Sequence, residues 1–197
     1  MTRSSFILRS ALAAGAISGS AAVGPFVRQA LAQEEEEAAA PDVEIVNFAL
    51  TLELLEADFY EQALDRLGLS GDVLSLTEEI ASNEQEHVSV LTQTVTDLGG
   101  TPVEGLRFDF GDALSSEQKY LELAQTFEDT GVSAYNGAAP GIQDREILLV
   151  AGTIVQIEGR HAALVRAQRG EPVAPTAFDE ALDMAQVRDA VEPFIKS

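Results

Sequence analysis

The chain has two histidines, and both sit in the same four-residue frame. Glu84-Gln85-Glu86-His87 and Glu158-Gly159-Arg160-His161 are two copies of E-x-x-H, 74 residues apart. Positions i and i+3 of a helix share one face. Each copy therefore sets a carboxylate beside an imidazole, a bidentate grip suited to a transition metal. The frame constrains the fold too, because two such grips can share one site only if two helices face each other. Glu is 21 of the 197 residues, so a given histidine has about a one-in-ten chance of a Glu three before it. Both having one comes to about one in a hundred.

A longer repeat strengthens the pattern. If the motifs belong to two related helix pairs, the helices before them should match as well. "ALTLELLEADFYEQAL" precedes the first motif and "AQTFEDTGVSAYNGAA" the second. Aligning Tyr60 with Tyr135 places Glu53 on Glu128 at an offset of 75, against 74 for both Glu84/Glu158 and His87/His161. The chain thus reads Glu, E-x-x-H, Glu, E-x-x-H. Four helices carrying these residues inward would make a dinuclear carboxylate site in a bundle core.

This order of residues resembles the ferritin-like superfamily: ferritins, bacterioferritins, rubrerythrins and manganese catalases. The strings "LTLELLEADFYEQAL" and "IEGRHAALVR" are most similar to the ferritin-like family of bacterial secreted and plant desiccation-related proteins. The resemblance covers roughly residues 42 to 170. It implies an all-α ferritin-like four-helix bundle holding two Fe or Mn ions. The matching ligand positions are Glu53, Glu84, His87, Glu128, Glu158 and His161, with Glu84 and Glu158 as the bridging pair. It implies O2 or peroxide as the reactant and leaves the reaction open.

The ends and the charge limit the function further. Residues 1–32 contain three Arg and no acid, with a weakly apolar stretch and then Ala30-Leu31-Ala32. Small residues at the −3 and −1 positions mark a cleavage signal, so 1–32 is expected to be a signal peptide. The stretch is too short and too rich in Gly, Ser and Pro for a stable membrane span. "TRSSFIL" resembles a twin-arginine signal with Ser4 in place of the second Arg, so the route is twin-arginine-like or general secretory. The expected location is periplasmic or extracellular. Beyond residue 32 nine bases face 33 acids, a net −24. That charge argues against nucleic acid as a partner, since phosphate binding needs a cationic face. The absence of Cys excludes disulfides and thiolate-ligated metal centres.

Residues 33–41 are expected to be an acidic disordered linker, and 42–197 the bundle with an extra C-terminal helix. The helices are expected over about 42–67 with Asp42 as N-cap, from Ser75 to Gly99, from Ser115 to before Pro140, and from Gln143 to Gln168 with Gly170 as its stop. A last helix is expected over 179–192. Ile45, Phe48, Leu52, Leu55, Phe59 and Ala63 recur at helical spacing. Gly100 to Leu114 is a long crossover, and at about 3.3 Å per residue it can return along a bundle of about 40 Å. Its "LRFDF" either packs along the bundle or pairs with a second subunit in a homodimer.

Three further residues share the inward faces. Glu56, one turn past Glu53, is an alternative ligand, an acid orienting a ligand imidazole, or a solvated residue at the seam. Its counterpart is Gly131, which leaves a gap for a substrate or an open coordination position. Tyr60 and Tyr135 hydrogen-bond the ligands, supply electrons, or are ordinary core tyrosines. Two readings of function follow: an exported di-metal oxidase, peroxidase or catalase-like protein of stress protection, or a non-catalytic metal-binding or structural stress protein. Iron storage in a shell fits least well with the leader and acidic tail.

Overall fold

The computed structural model describes residues 23–196. Among the described residues there are five α-helices: α1 (Val23–Arg66), α2 (Gly71–Asp97), α3 (Glu117–Ala138), α4 (Arg145–Gln168) and α5 (Met184–Val191). The unit that carries the ligand candidates spans Ala38–Ser197, and the described residues before it, 23–37, belong to a separate unit. Of the expected leader, 1–22 lie outside the described residues. The expected linker 33–41 is helical instead. Its Ala and Glu are strong helix formers, which outweighs the single Pro41.

Asp42 is accordingly not the N-cap of α1. It is 1% exposed, and its carboxylate accepts from the backbone N–H of Gln143 and Asp144, at 2.8 Å each. It ties the start of α4 to α1. Asp144 itself caps α4 by accepting from Glu146 N–H. α2 begins at Gly71 after Ser70, four residues before the expected start at Ser75, and no side chain caps it. In α3 the capping residue is Ser116 rather than Ser115, accepting from Lys119 N–H. Gly170 ends α4 at φ +71°, as its position after the last apolar residue predicts.

Each helix buries one stripe. On α2 it is Leu76, Thr77, Ile80, Glu84, His87, Leu91 and Val95; on α4 it is Ile154, Glu158, His161, Ala162 and Val165. The ligand candidates therefore fall on the same stripes as the aliphatic residues. α4 is long and apolar enough to cross a membrane by length and composition alone, yet this stripe lies within the bundle. Two apolar clusters flank the polar centre. One joins Phe59, Tyr60, Phe110, Tyr120 and Phe127; the other joins Val46, Leu50, Leu91, Val95, Tyr135 and Ile154. In the first, Phe59 sits 5.0–5.4 Å from the rings of Phe110, Tyr120, Phe127 and Tyr60. Losing such a fully buried ring costs about 3–5 kcal/mol.

The crossover between α2 and α3 holds the strand Arg107–Phe108 (β1). It pairs antiparallel with Ile195–Lys196 (β2), Phe108 opposite Ile195. The partner of "LRFDF" is thus the chain's own C-terminus. Phe110 then turns inward, 3% exposed, against Phe127 and Phe194. α5 starts at Asp183 in a capping box with Gln186, later than the expected residue 179. Leu182 N–H donates to Ser133 O, which seats this segment on α3.

Candidate metal centre

α1 to α4 place all six predicted residues in one buried cluster. Glu84, Glu128 and Glu158 are 0% exposed, Glu53 1%, His161 2% and His87 8%. Around the Nδ1 atom of His87 lie Glu53 Oε2 at 3.1 Å, Glu84 Oε2 at 3.1 Å and Glu158 Oε1 at 3.2 Å. Around His161 Nδ1 lie Glu84 Oε1 at 3.0 Å, Glu128 Oε2 at 3.4 Å and Glu158 Oε1 at 4.0 Å. A ring nitrogen carries at most one proton, so three carboxylates around it cannot all be satisfied by hydrogen bonds. Donors about 2.1 Å from one metal, at right angles, lie about 3 Å apart, which is the spacing here.

The donors form two sets of four. Glu53, Glu84, His87 and Glu158 make one; Glu84, Glu128, Glu158 and His161 make the other. Glu84 and Glu158 belong to both. Five buried polar atoms in these sets find no hydrogen-bond partner: Glu84 Oε1, Glu128 Oε2, both oxygens of Glu158, and His161 Nδ1. Orphaned buried polar atoms are costly. Four are carboxyl oxygens and one is an imidazole nitrogen, all within the two donor sets. This donor set fits divalent transition metals.

Protons dominate the centre while no cation balances it. Burial pushes Glu53 up to about 8, with the charge of Glu84 adding to the rise. Burial and neighbouring carboxylates push Glu158 and Glu56 well above the usual range. Burial raises Glu128 as well. Glu84 is the exception. Burial acts against it, but the imidazoles of His161 and His87, each within about 3 Å, prevail and hold it down to about 2. Burial acts against the charged imidazoles also, yet the surrounding carboxylates raise His87 to about 12 and His161 to about 10. A dication replaces these protons.

The three secondary candidates are buried here too. Tyr60 OH donates to Glu128 Oε1, and Tyr135 OH to Glu53 Oε1. Both tyrosines are thus tied to the cluster rather than being ordinary core residues. Glu56 is 2% exposed, so it is not a solvated residue at the seam. The gap expected at Gly131 is small: a Cβ there would stand 3.2 Å from Glu158 Oε2 and 3.5 Å from Glu56 Oε1, and the cavity lined by Gly131 and Glu56 measures about 10 Å³. Glu86 and Glu61 face solvent.

Asn83 was not foreseen from the sequence. Its side-chain amide lies 3.1 Å from His161 Nε2. The atom facing the ring is the amide nitrogen, which donates to an unprotonated Nε2; only the flipped amide, oxygen toward the ring, would accept an Nε2 proton. The available signal was an Asn in a helix interior, next to Glu84, where its propensity is poor. The repeat hides it, since the counterpart of Asn83 is Ile157.

A family model described as a ferritin-like domain matches residues 41–171. The chain belongs to the ferritin-like domain family. No curated protein matches it. The matched span takes in every residue of the two donor sets. The ferritin-like fold accounts for the inward-facing pairs of helices, and the buried Glu and His groups are compatible with metal binding.

Proposed function

We propose that this protein is an exported di-metal carboxylate protein that binds two Fe or Mn ions and consumes O2 or peroxide. The observation that carries the reading is the pair of four-donor sets sharing Glu84 and Glu158. One ion would be held by Glu53 and His87 and the other by Glu128 and His161, with Glu84 and Glu158 available to both. Bound there, the ions would supply redox chemistry toward an oxygen-based oxidant. The chain's own residues do the rest. Tyr135 and Tyr60 fix Glu53 and Glu128 by hydrogen bonds. Asn83 fixes the ring of His161. Glu56 presents a further carboxyl beside Glu158, able to hold or pass a proton. The acid-free, Arg-containing leader supports export.

Elemental analysis after loading with Fe(II) or Mn(II) tests the reading, and saturation at two ions per chain is expected. A plateau well below one per chain would reject it. His87→Ala and His161→Ala should each remove most oxidant consumption while helix content persists, because apolar packing supports the helices. Full metal binding without oxidant consumption would favour the non-catalytic metal-binding reading.

A further inference from the structure

Beside the centre lies an apolar pocket. Its walls include Phe48 and Leu52 on α1, Leu91 on α2, Tyr135 on α3, and Ile147 and Ala151 on α4. The outer wall residues Phe48, Ile142 and Ile147 are half-buried, whereas Leu52, Leu91 and Tyr135 are buried. The space therefore runs inward from the end of the bundle where α3 meets α4. At its inner end, Leu52 adjoins Glu53 in the chain, and Tyr135 donates its hydroxyl proton to Glu53. At about 30 Å³ it has room for a small molecule larger than a single water.

The chemistry of the walls selects the occupant. Only two wall side chains carry a polar atom, Thr94 and Tyr135. The hydroxyl of Thr94 donates to Val90 O, and that of Tyr135 donates to Glu53. Neither has a proton to offer a guest. A buried water needs two to four polar partners, so water has little hold there. Peroxide carries two hydroxyl groups and would lose its hydrogen bonds on moving in. Dioxygen is small, apolar and has none to lose. The opposite holds at His87, the donor most open to solvent, with 11% of its side chain exposed. Peroxide, which keeps its hydrogen bonds in water, is expected to approach from that side.

We propose that this pocket binds dioxygen and delivers it to the carboxylate centre past Leu52 and Tyr135. The proposal rests on the reading of that centre as a metal site, and it selects dioxygen as the reactant that arrives by this path. Xenon, an apolar atom of similar size, probes the pocket without metal or turnover.

Xenon-pressurised crystals of the metal-free protein should hold xenon between Leu52, Leu91, Tyr135 and Ala151. Ala151→Leu, and independently Ala49→Leu on the α1 wall of the same pocket, should exclude it by filling the space. In Fe(II)-loaded protein the same variants should slow oxidation by dioxygen several-fold and leave oxidation by peroxide unchanged. No xenon in the parent pocket would overturn the proposal and leave the metal stoichiometry, hence the reading of the centre, intact. Xenon excluded by either variant with an unchanged dioxygen rate would overturn the delivery. Equal slowing with both oxidants would overturn it also, since a general distortion of the centre then explains the effect. A parent that binds xenon but consumes neither oxidant would sink the oxidative reading, and the delivery with it.

Discussion

Tyr60 on α1 donates its hydroxyl proton to Glu128 on α3. The repeat gives this contact its meaning, because Tyr135 on α3 returns the same contact to Glu53 on α1. Each tyrosine sits two turns past the Glu of its own half and serves the Glu of the other half. Tyr60 belongs to one apolar cluster and Tyr135 to the other. The two hydroxyls therefore reach in from opposite ends of the core and clamp the centre between them.

Tyr60→Phe and Tyr135→Phe should thus act alike. Each leaves a buried carboxyl short of one donor, at about 1–3 kcal/mol. Thermal unfolding should show a loss of this size in both, and metal titration a weaker affinity in both. A large effect in one variant and none in the other would contradict the clamp.

Gly131→Ala tests the close approach of α3 to the carboxylates. The added methyl would sit 3.2 Å from Glu158 Oε2 and 3.5 Å from Glu56 Oε1. In a helix Ala is favoured over Gly by about 1 kcal/mol. Metal-free stability should therefore change little or rise, while metal affinity falls because Glu158 is displaced. An unchanged affinity would mean that Glu158 has freedom to move away.

Much of this centre was legible in the chain. The two E-x-x-H frames and the matched Glu53 and Glu128 are set by helical spacing, and spacing survives folding. The helix starts were harder to place. Ser75 with Glu78 has the form of a capping box, yet α2 is already running there, because capping patterns are local and cheap to mimic. Asp42 looked like a cap, but its carboxylate instead holds the backbone just before α4, about a hundred residues later. Such a contact has no local signature. Asn83 was hidden for the same reason, and Glu56 needed the opposing Gly131 to show that it is buried rather than solvated.

Gly137 is set by packing rather than by backbone angle. A Cβ there would stand 1.8 Å from the carbonyl oxygen of Leu182. Leu182 is held in place by its own N–H to Ser133 O. Gly137→Ala must push the C-terminal segment off α3. Overpacking of this kind costs about 1–3 kcal/mol, and a rigid backbone obstacle puts it at the upper end. Denaturant unfolding should report the loss, and hydrogen exchange should show α5 less protected. Unaltered protection of α5 would refute this role for Gly137.

The final expectation concerns pH, with and without metal. In the metal-free protein, Glu53 is raised from 4.5 to about 8 by burial and by the charge of Glu84. Against their own burial, the carboxylates around His87 and His161 raise them from 6.5 to about 12 and about 10. A group raised on folding stabilises fully below its unfolded value and loses that contribution as pH climbs through its folded value. Glu53 thus withdraws support between pH 4.5 and 8, and the two histidines do so from 6.5 upward. Glu84 runs the other way: held down to about 2, it supports the fold above 4.5 and loses that support in stronger acid. Metal-free stability should peak near pH 4.5 and fall toward pH 8. A cation that binds only the folded state adds RT ln(1 + [L]/Kd), about 2.7 kcal/mol at a hundredfold excess over Kd. Because protons compete for the same donors, that gain should shrink in acid and grow toward neutrality. Melting curves with Mn(II) and with chelator should therefore separate as pH rises from 4.5 to 8. If chelator leaves the melting temperature unchanged at neutral pH, these carboxylates hold no metal. If metal-free protein instead gains stability from pH 5 to 8, Glu53 and the two histidines do not carry the protons assigned to them.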